Sequence, residues 1–433
     1  MEKLAIFGGK PIFKGKLSKY NSLGREEEKA VLKVIKGKII SDFLGRAGQY
    51  FLGGKYVKEL EKRFCQYFKV KYAVSFNSAS TALQAAVGAL GIGPGDEVIT
   101  TPFTMSATAS AILYNNAVPV FSDINENDFC IDPDKIEKLI NKNTKAILAV
   151  NLFGGTADYG KILKIAKKHN LKVIEDNAHG AGATYRNKFL ATIGNIGIFS
   201  FNVHKVIQSG EGGMLVANNK KYAFRAQLIR NHGEAVINDL KSKDVFEPVL
   251  GNNYRMTELQ AAIVIEQLKK LKKLNNKRII LANYLTKKLR KFNWLVAPSV
   301  AKENTHIYYT YPIRFLSKKI RVKRETFAKA MKAEGFNLGQ GYQEPLYLLP
   351  LYQKKAIYPN SKFPFISKEY PHKISYQKGI CKVAERMYER ELLCTNICQP
   401  PKTQKEIDLF IKAIEKIEDN IEEFKKYETP LEV

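Results

Sequence analysis

The sequence has little cysteine: five residues in 433, odd in number and scattered. Cys394 and Cys398 have no second close Cys/His pair to complete a zinc site, and Cys381 stands alone upstream. This argues against a disulfide framework or a structural zinc, and fits a reducing cytoplasm. Long apolar runs are also missing; none approaches the ~20 residues that span a bilayer. Residues Met1–Gly9 carry no apolar core before their glycines, so no secretory signal is expected. Acidic residues are in deficit, 42 Asp plus Glu against 70 Lys plus Arg, for a formal net charge of +28. Such an excess can mark a nucleic-acid binder. Here the lysines are scattered, as at Lys10, Lys14, Lys16 and Lys19 and again at Lys269, Lys270, Lys272 and Lys273. No helix-turn-helix, zinc-finger or RNP-like signature accompanies them. They read as solvated faces, and no specific nucleic-acid partner is expected. The chain also lacks GxxxxGK[ST] and a strand-linked GxGxxG, so kinase-like and Rossmann dinucleotide readings have no support.

What is present is an ordinary globular balance, 45% apolar and 26% charged, which excludes intrinsic disorder. The length suggests two or three domains. Between residues 70 and 220, β-branched runs alternate with helix-like stretches. The strand candidates are Tyr72–Phe76, Glu97–Thr101, Val118–Ser122, Ala146–Asn151, Lys172–Glu175, Gly197–Phe201 and Met214–Ala217. Helices are expected at Ser80–Leu90, Met105–Tyr114, Pro133–Ile140 and Tyr159–His169. That alternation indicates a mainly parallel α/β sheet, with its ligand site beyond the carboxyl ends of the strands. From Thr257, apolar residues recur at helical spacing through Leu274, one long amphipathic helix. Shorter elements follow: a strand near Ile307–Phe315, a helix near Arg324–Glu334, a Pro-rich loop, and a terminal helix near Gln404–Lys425. The expected division is an N-terminal segment (1–35), a large α/β domain (36–256), and a connecting helix with a small C-terminal α/β domain (257–433).

Three segments carry chemistry. Lys205 stands just past a strand, in Phe201-Asn202-Val203-His204-Lys205 before Ser209-Gly210-Glu211-Gly212-Gly213. It is either a surface lysine at a turn or an imine-forming amine, the latter if burial and nearby positive charge lower its pKa. The strand Val173-Ile174-Glu175 ends in Asp176, with His179 three residues on. Asp176 is either a helix cap or the carboxylate that keeps a heteroaromatic nitrogen protonated, as pyridoxal phosphate (PLP) requires. Asn77-Ser78-Ala79-Ser80-Thr81 follows the first strand and opens a helix, which makes either a plain N-cap or a phosphate cradle. Singly, each has an ordinary explanation. Together, in this order and at strand ends of one sheet, they are the three contacts PLP needs.

At these residues the chain resembles the DegT/DnrJ/EryC1/StrS sugar aminotransferases, of the aspartate-aminotransferase fold (PLP-transferase fold type I). The segments carrying the resemblance are Gly91-Ile92-Gly93-Pro94-Gly95-Asp96-Glu97, Glu175-Asp176-Asn177-Ala178-His179, Ser200-Phe201 with Lys205, Gly210-Glu211-Gly212-Gly213 and Gly251-Asn252-Asn253-Tyr254-Arg255-Met256. It implies a large domain with a mostly parallel seven-stranded sheet flanked by helices, plus the smaller C-terminal domain. It implies that Lys205 condenses with the cofactor and later shuttles a proton. It pairs Asp176 with the pyridine nitrogen, sets His179 at the ring hydroxyl or ring face, and assigns Ser80, Thr81 and Ser200 to the phosphate. Asn253 would reach the phosphate site of a neighbouring subunit in a homodimer with shared sites, and Arg255 would meet an anionic substrate nearby. The implied reaction takes an amino group from an amino acid, L-glutamate, through pyridoxamine phosphate to a keto-sugar, nucleotide-linked or free, or to a keto-cyclitol.

Two rival readings stand beside it. One is a pyridoxamine-phosphate-dependent dehydratase on the same fold, whose branch replaces the lysine by histidine. The other is a non-enzymatic regulatory or nucleic-acid-binding role. The chain departs from the family at Ser78-Ala79-Ser80, where Ser-Gly-Thr is usual, and at Met105, where an aromatic usually stacks on the pyridine; Phe103 or the Met105 thioether is left to fill that place. Surplus length falls near Asp42–Phe51 and in Tyr342–Lys378.

Overall fold

The computed structural model describes residues 2–237 and 249–425. The alternating region forms one sheet of seven strands. In chain order these are β1 (Tyr72–Phe76), β2 (Glu97–Thr100), β3 (Val118–Phe121), β4 (Thr144–Val150) and β5 (Lys172–Asp176). After a small hairpin, β6 (Thr184–Tyr185) and β7 (Lys188–Phe189), come β8 (Ile196–Ser200) and β9 (Gly213–Ala217). Their spatial order is β1-β9-β8-β5-β4-β2-β3. Pairing is parallel from β8 through β3, while β9 runs antiparallel to both β8 and β1. A parallel sheet is buried on both faces, which is why β4 reads as a nearly unbroken apolar run.

Helices α1 (Arg25–Lys36), α2 (Lys55–Phe68), α3 (Ala79–Ala89), α4 (Ala107–Tyr114), α5 (Tyr159–Lys168), α6 (Lys220–Arg230) and α7 (Glu258–Leu289) surround the sheet. Strand periodicity divides the packing into two cores. Ala146, Leu148 and Val150 of β4 point to the face covered by α3, α4 and α6. Ile147 and Ala149 point to the face covered by α2, α5 and α7. Helix α7, about 48 Å long at 1.5 Å per residue, leaves that second core. Its Leu281, Leu285 and Leu289 enter a third. There an antiparallel sheet of β10 (Leu295–Val296), β11 (Tyr311–Phe315), β12 (Gly339–Gln340) and β13 (Leu392–Thr395) has the order β10-β11-β13-β12. No helix among the described residues is long and apolar enough to cross a membrane.

Three local expectations need correction. Pro133–Ile140 is not an α-helix but two 3₁₀ turns, Pro133–Lys135 and Glu137–Leu139. Only Pro133 and Ile136 are buried there, too little to offset helix nucleation. The strand near Ile307 begins only at Tyr311, because Tyr308 adopts φ +50° and breaks the extended chain. The terminal helix stops at Asp419 and resumes at Ile421. Asn420 interrupts it, its side-chain amide donating to the Lys416 and Glu2 carbonyls.

The Pro-rich stretch is anchored rather than free. Tyr347, Tyr352 and Tyr376 pack around Phe121 of the edge strand β3. Tyr376 Oη donates to the Pro119 carbonyl at 2.8 Å and Tyr370 Oη to the Glu97 carboxylate at 2.6 Å. The stretch therefore covers a sheet edge that would otherwise be open to pairing.

Candidate active site

Because β1, β8 and β5 run in one direction, their carboxyl ends meet at one edge of the sheet. A cleft of about 450 Å³ opens there, lined among others by Ser78, Ser80, Asp176, His179, Ser200 and Lys205. Its volume lies within the range of small-molecule sites. At one end is the first turn of α3. Ser78 caps it by accepting from Thr81 N at 3.1 Å. The N–H groups of Ala79 and Ser80, both at the cleft wall, belong to a helical first turn that has no internal acceptor for them. A Cβ on Gly213 of β9 would lie 2.4 Å from the Ser78 carbonyl oxygen, so only glycine allows this close approach. Thr81 does not line the cleft. Its hydroxyl donates to Asn77 Oδ1 at 2.7 Å.

In the middle, Asp176 ends β5 and is buried. Its Oδ2 accepts from Thr108 Oγ1 at 2.8 Å and its Oδ1 from Ala178 N at 3.2 Å. Burial raises its pKa; those two bonds and the Lys205 charge oppose the rise. His179 lies face to face with Tyr309, ring centroids 4.1 Å apart. Its Nδ1 accepts from Phe153 N–H at 3.3 Å, which leaves the proton on Nε2. Burial, helped by the Lys205 charge, pushes its pKa well below the usual value and keeps it neutral.

Lys205 Nζ sits 4.8 Å from the Tyr309 ring centroid. Burial lowers its pKa to about 8, while Asp176 and Glu211 pull it back up. The expected cause was partly different. Burial acts as anticipated, but the charges nearby are negative and oppose the shift. An amine with this pKa is about one-tenth uncharged at pH 7, far more than an ordinary lysine offers. For the empty protein, the rate of covalent capture of an aldehyde should therefore rise with pH around a midpoint near 8, not near 10.5. Rate measurements from pH 6 to 10 with borohydride trapping check this; a midpoint above 10 contradicts it.

Asn253 and Arg255 lie outside this cleft. Asn253 is exposed, and Arg255 Nε donates to its Oδ1 at 2.8 Å. Their loop is tied to the α3 cradle by Asn77 N donating to the Tyr254 carbonyl at 2.9 Å. The surplus near Asp42–Phe51 sits beside them, Arg255 Nη1 reaching the Phe43 carbonyl at 3.3 Å.

The profile of the DegT/DnrJ/EryC1/StrS aminotransferase family matches residues 40–392. The chain belongs to this family. It is 37% identical over 304 residues to GDP-perosamine synthase of Caulobacter vibrioides, covering 70% of this chain and 80% of that protein. It is 30% identical over 433 residues to a putative L-glutamine:3-amino-2,3-dideoxy-scyllo-inosose aminotransferase of Micromonospora echinospora, covering 98% and 99%. The crystal structure of an aminotransferase from Psychrobacter cryohalolentis superposes with TM-score 0.80 at 28% identity, covering 94% of this chain and all of that one. The protein is thus a sugar aminotransferase of the PLP-dependent kind, with the fold type expected.

Several residues of this aminotransferase's cleft escaped the sequence reading. Thr108 reaches Asp176 from α4, 68 positions away in sequence. Tyr309 lies in a run, His306 to Tyr311, that alternates like a strand, and nothing in the run announces the turn at Tyr308. Tyr342 enters from the surplus stretch and packs edge-on against Phe153, His179 and Phe103. Phe103 is fully buried and lies behind the wall, whereas Met105 is half-exposed and lines the cleft.

Proposed function

We propose that this aminotransferase takes an amino group from L-glutamate and delivers it to a keto carbon of a nucleotide-linked sugar, using Lys205 as the reactive amine. One observation carries the reading: an anion cradle, a buried carboxylate and a buried lysine of lowered pKa converge on one cleft. That donor set fits a group with a phosphate at one end, a pyridine nitrogen at the other and an aldehyde between. Bound there, PLP supplies an electron sink and, in its amine form, carries the amino group from donor to acceptor. The residues do the rest. The first-turn amides at Ala79 and Ser80, with Ser200, hold the phosphate; Thr81 shapes that turn through its bonds to Asn77 and Ser78. Asp176 keeps the pyridine nitrogen protonated through a charge-assisted bond. His179 would offer Nε2–H to the ring oxygen, and the Met105 thioether, at the cleft wall, would be the group available to the ring face. Lys205 would hold the cofactor through its amine and would move the proton at the donor's α-carbon. The basic surface attracts a substrate carrying two phosphates.

Asn253 and Arg255 complete the cleft of a second copy in a homodimer. Mixing inactive Lys205→Ala with inactive Asn253→Asp then gives heterodimers in which one site carries both defects and the other neither. Subunit exchange is expected to restore about one quarter of wild-type activity, from random pairing of two-fold dimers. If exchange is demonstrated and no activity returns, the shared site is wrong.

A second acceptor class is favoured by one comparison. The scyllo-inosose-type relative matches along 98% of the chain, against 70% for the perosamine synthase. A keto-cyclitol acceptor is therefore tested in the same experiment. The purified pyridoxamine form is offered nucleotide-linked keto-sugars, free keto-sugars and keto-cyclitols, and amine products are weighed by mass spectrometry. Amination confined to nucleotide-linked sugars supports the first reading. Amination confined to cyclitols replaces it with the second, and no amine from any class overturns both.

A further inference from the structure

Lys205 is held from behind by residues far from it in sequence. The N-terminal segment ahead of α1 passes beneath the turn that carries the lysine. Tyr20 Oη donates to the carbonyl of Val206, the residue next to Lys205, at 2.5 Å. Two residues on, the Ser22 carbonyl accepts from Gln267 Nε2 at 2.8 Å. Gln267 Oε1 in turn accepts from Gln208 N at 3.2 Å, on the same turn as Lys205. The segment is thus tied to the lysine turn on both sides.

The other face of Tyr20 carries the guanidinium of Arg278, 4.2 Å from the ring centroid. Arg278 is fully buried on α7, and its Nε and Nη2 have no hydrogen-bond acceptor among the described residues. Its Nη1 donates to the Tyr309 carbonyl at 3.3 Å. Tyr309 is the residue whose ring lies under the Lys205 amine. The contacts close a loop: Tyr20 to Val206, Lys205 to Tyr309, Tyr309 to Arg278, and Arg278 back to Tyr20. A buried guanidinium without a carboxylate is costly to fold around. Here it fixes two groups that flank the reactive amine.

We propose that Tyr20 is a positioning residue for Lys205: its hydroxyl, bonded to the Val206 carbonyl, holds the amine over the Tyr309 ring. The inference rests on the reading of Lys205 as the reactive amine. Removing the hydroxyl leaves a buried carbonyl unpaired, and the turn relaxes to find another donor or water. The amine then becomes better hydrated. The groups around it in the cleft stay the same: Asp176 from β5, Glu211 from the turn before β9, His204 beside it in the chain, His179, Tyr309 and Tyr342, with Arg278 behind. Only burial changes, and burial is what lowers this amine's pKa.

The test uses the empty full-length protein and PLP itself as the probe. Covalent capture is followed against pH by borohydride trapping and peptide mapping, in wild type, Tyr20→Phe and Gln267→Met. Tyr20→Phe keeps the ring under Arg278 and loses only the hydroxyl; Gln267→Met cuts the second tie. For Tyr20→Phe the midpoint should move upward by about half a pH unit or more, and capture at pH 7 should fall about threefold. Gln267→Met should shift the same way. Affinity for pyridoxine 5′-phosphate, which has the phosphate but no aldehyde, should stay unchanged. Superimposable profiles overturn the proposal, and so does an equal loss of pyridoxine phosphate affinity, which would mean general loosening. If Tyr20→Phe does not fold, Gln267→Met decides alone by the same two readouts. If wild type captures PLP on another lysine, the reading of Lys205 fails first, which keeps the two failures distinct.

Discussion

Lys205→Ala is expected to abolish covalent attachment of PLP and to lower transamination by on the order of 10⁴-fold. The side chain supplies both the nucleophilic amine and the base that moves a proton at the donor carbon. Among the described residues no other lysine lines the cleft. Exogenous primary amines should restore part of the proton-transfer rate, since the deletion leaves space where the amine stood. Folding should survive, because an amine whose pKa is lowered by burial gains nothing from being charged there. The variant should still bind PLP without a covalent bond, through the α3 cradle. Visible absorbance, borohydride trapping with peptide mapping, and half-reaction rates with glutamate check these points. Labelling of a different lysine in the wild-type protein would remove the basis for the assignment.

Asp176→Asn should have the second largest effect, a fall in the donor half-reaction on the order of 10²–10³-fold, comparable with loss of one charge-stabilising group elsewhere. The amide matches the carboxylate in shape. It can accept from Ala178 N through its oxygen and donate to Thr108 Oγ1 through its nitrogen, because the Thr108 hydroxyl can turn toward Thr104, 3.0 Å away. What it cannot do is hold a proton on a pyridine nitrogen by opposite charge. Burial already penalises the ionised form of Asp176, so the neutral amide should leave the melting temperature unchanged or slightly raised. Stopped-flow half-reactions with glutamate give the rate and thermal melts give the control. A wild-type rate in this variant would refute the role.

The two predictions differ in how far the sequence alone reaches. Lys205 and Asp176 stand immediately after recognisable strands, and in a parallel sheet strand ends converge whatever lies between them. Their meeting was therefore legible from spacing, as was Ser80; Ser200 came only from the family resemblance. The same logic located all seven strands of the large sheet within two residues at their starts and ends. It failed where local pattern is ambiguous. Pro133–Ile140 has helical spacing but too few buried residues to stabilise a helix. Ile307–Phe315 alternates like a strand, yet its first residues bend at Tyr308 and send Tyr309 under the lysine.

Thus the sequence by itself determined the fold class, the seven-stranded sheet and the order of cradle, carboxylate and amine along it, because two-residue periodicity and strand-end placement are local properties. Tertiary structure alone decided the state of those groups. The lysine's pKa of about 8 comes from burial against opposing negative neighbours. The neutral His179 comes from burial, helped by the Lys205 charge. The hold on the lysine turn comes from Tyr20 and Arg278, which lie 186 and 73 residues or so away along the chain, by the separation of Tyr20 from Val206 and of Arg278 from Lys205. Burial and hydrogen bonding depend on which distant segments meet, and no short-range pattern encodes that.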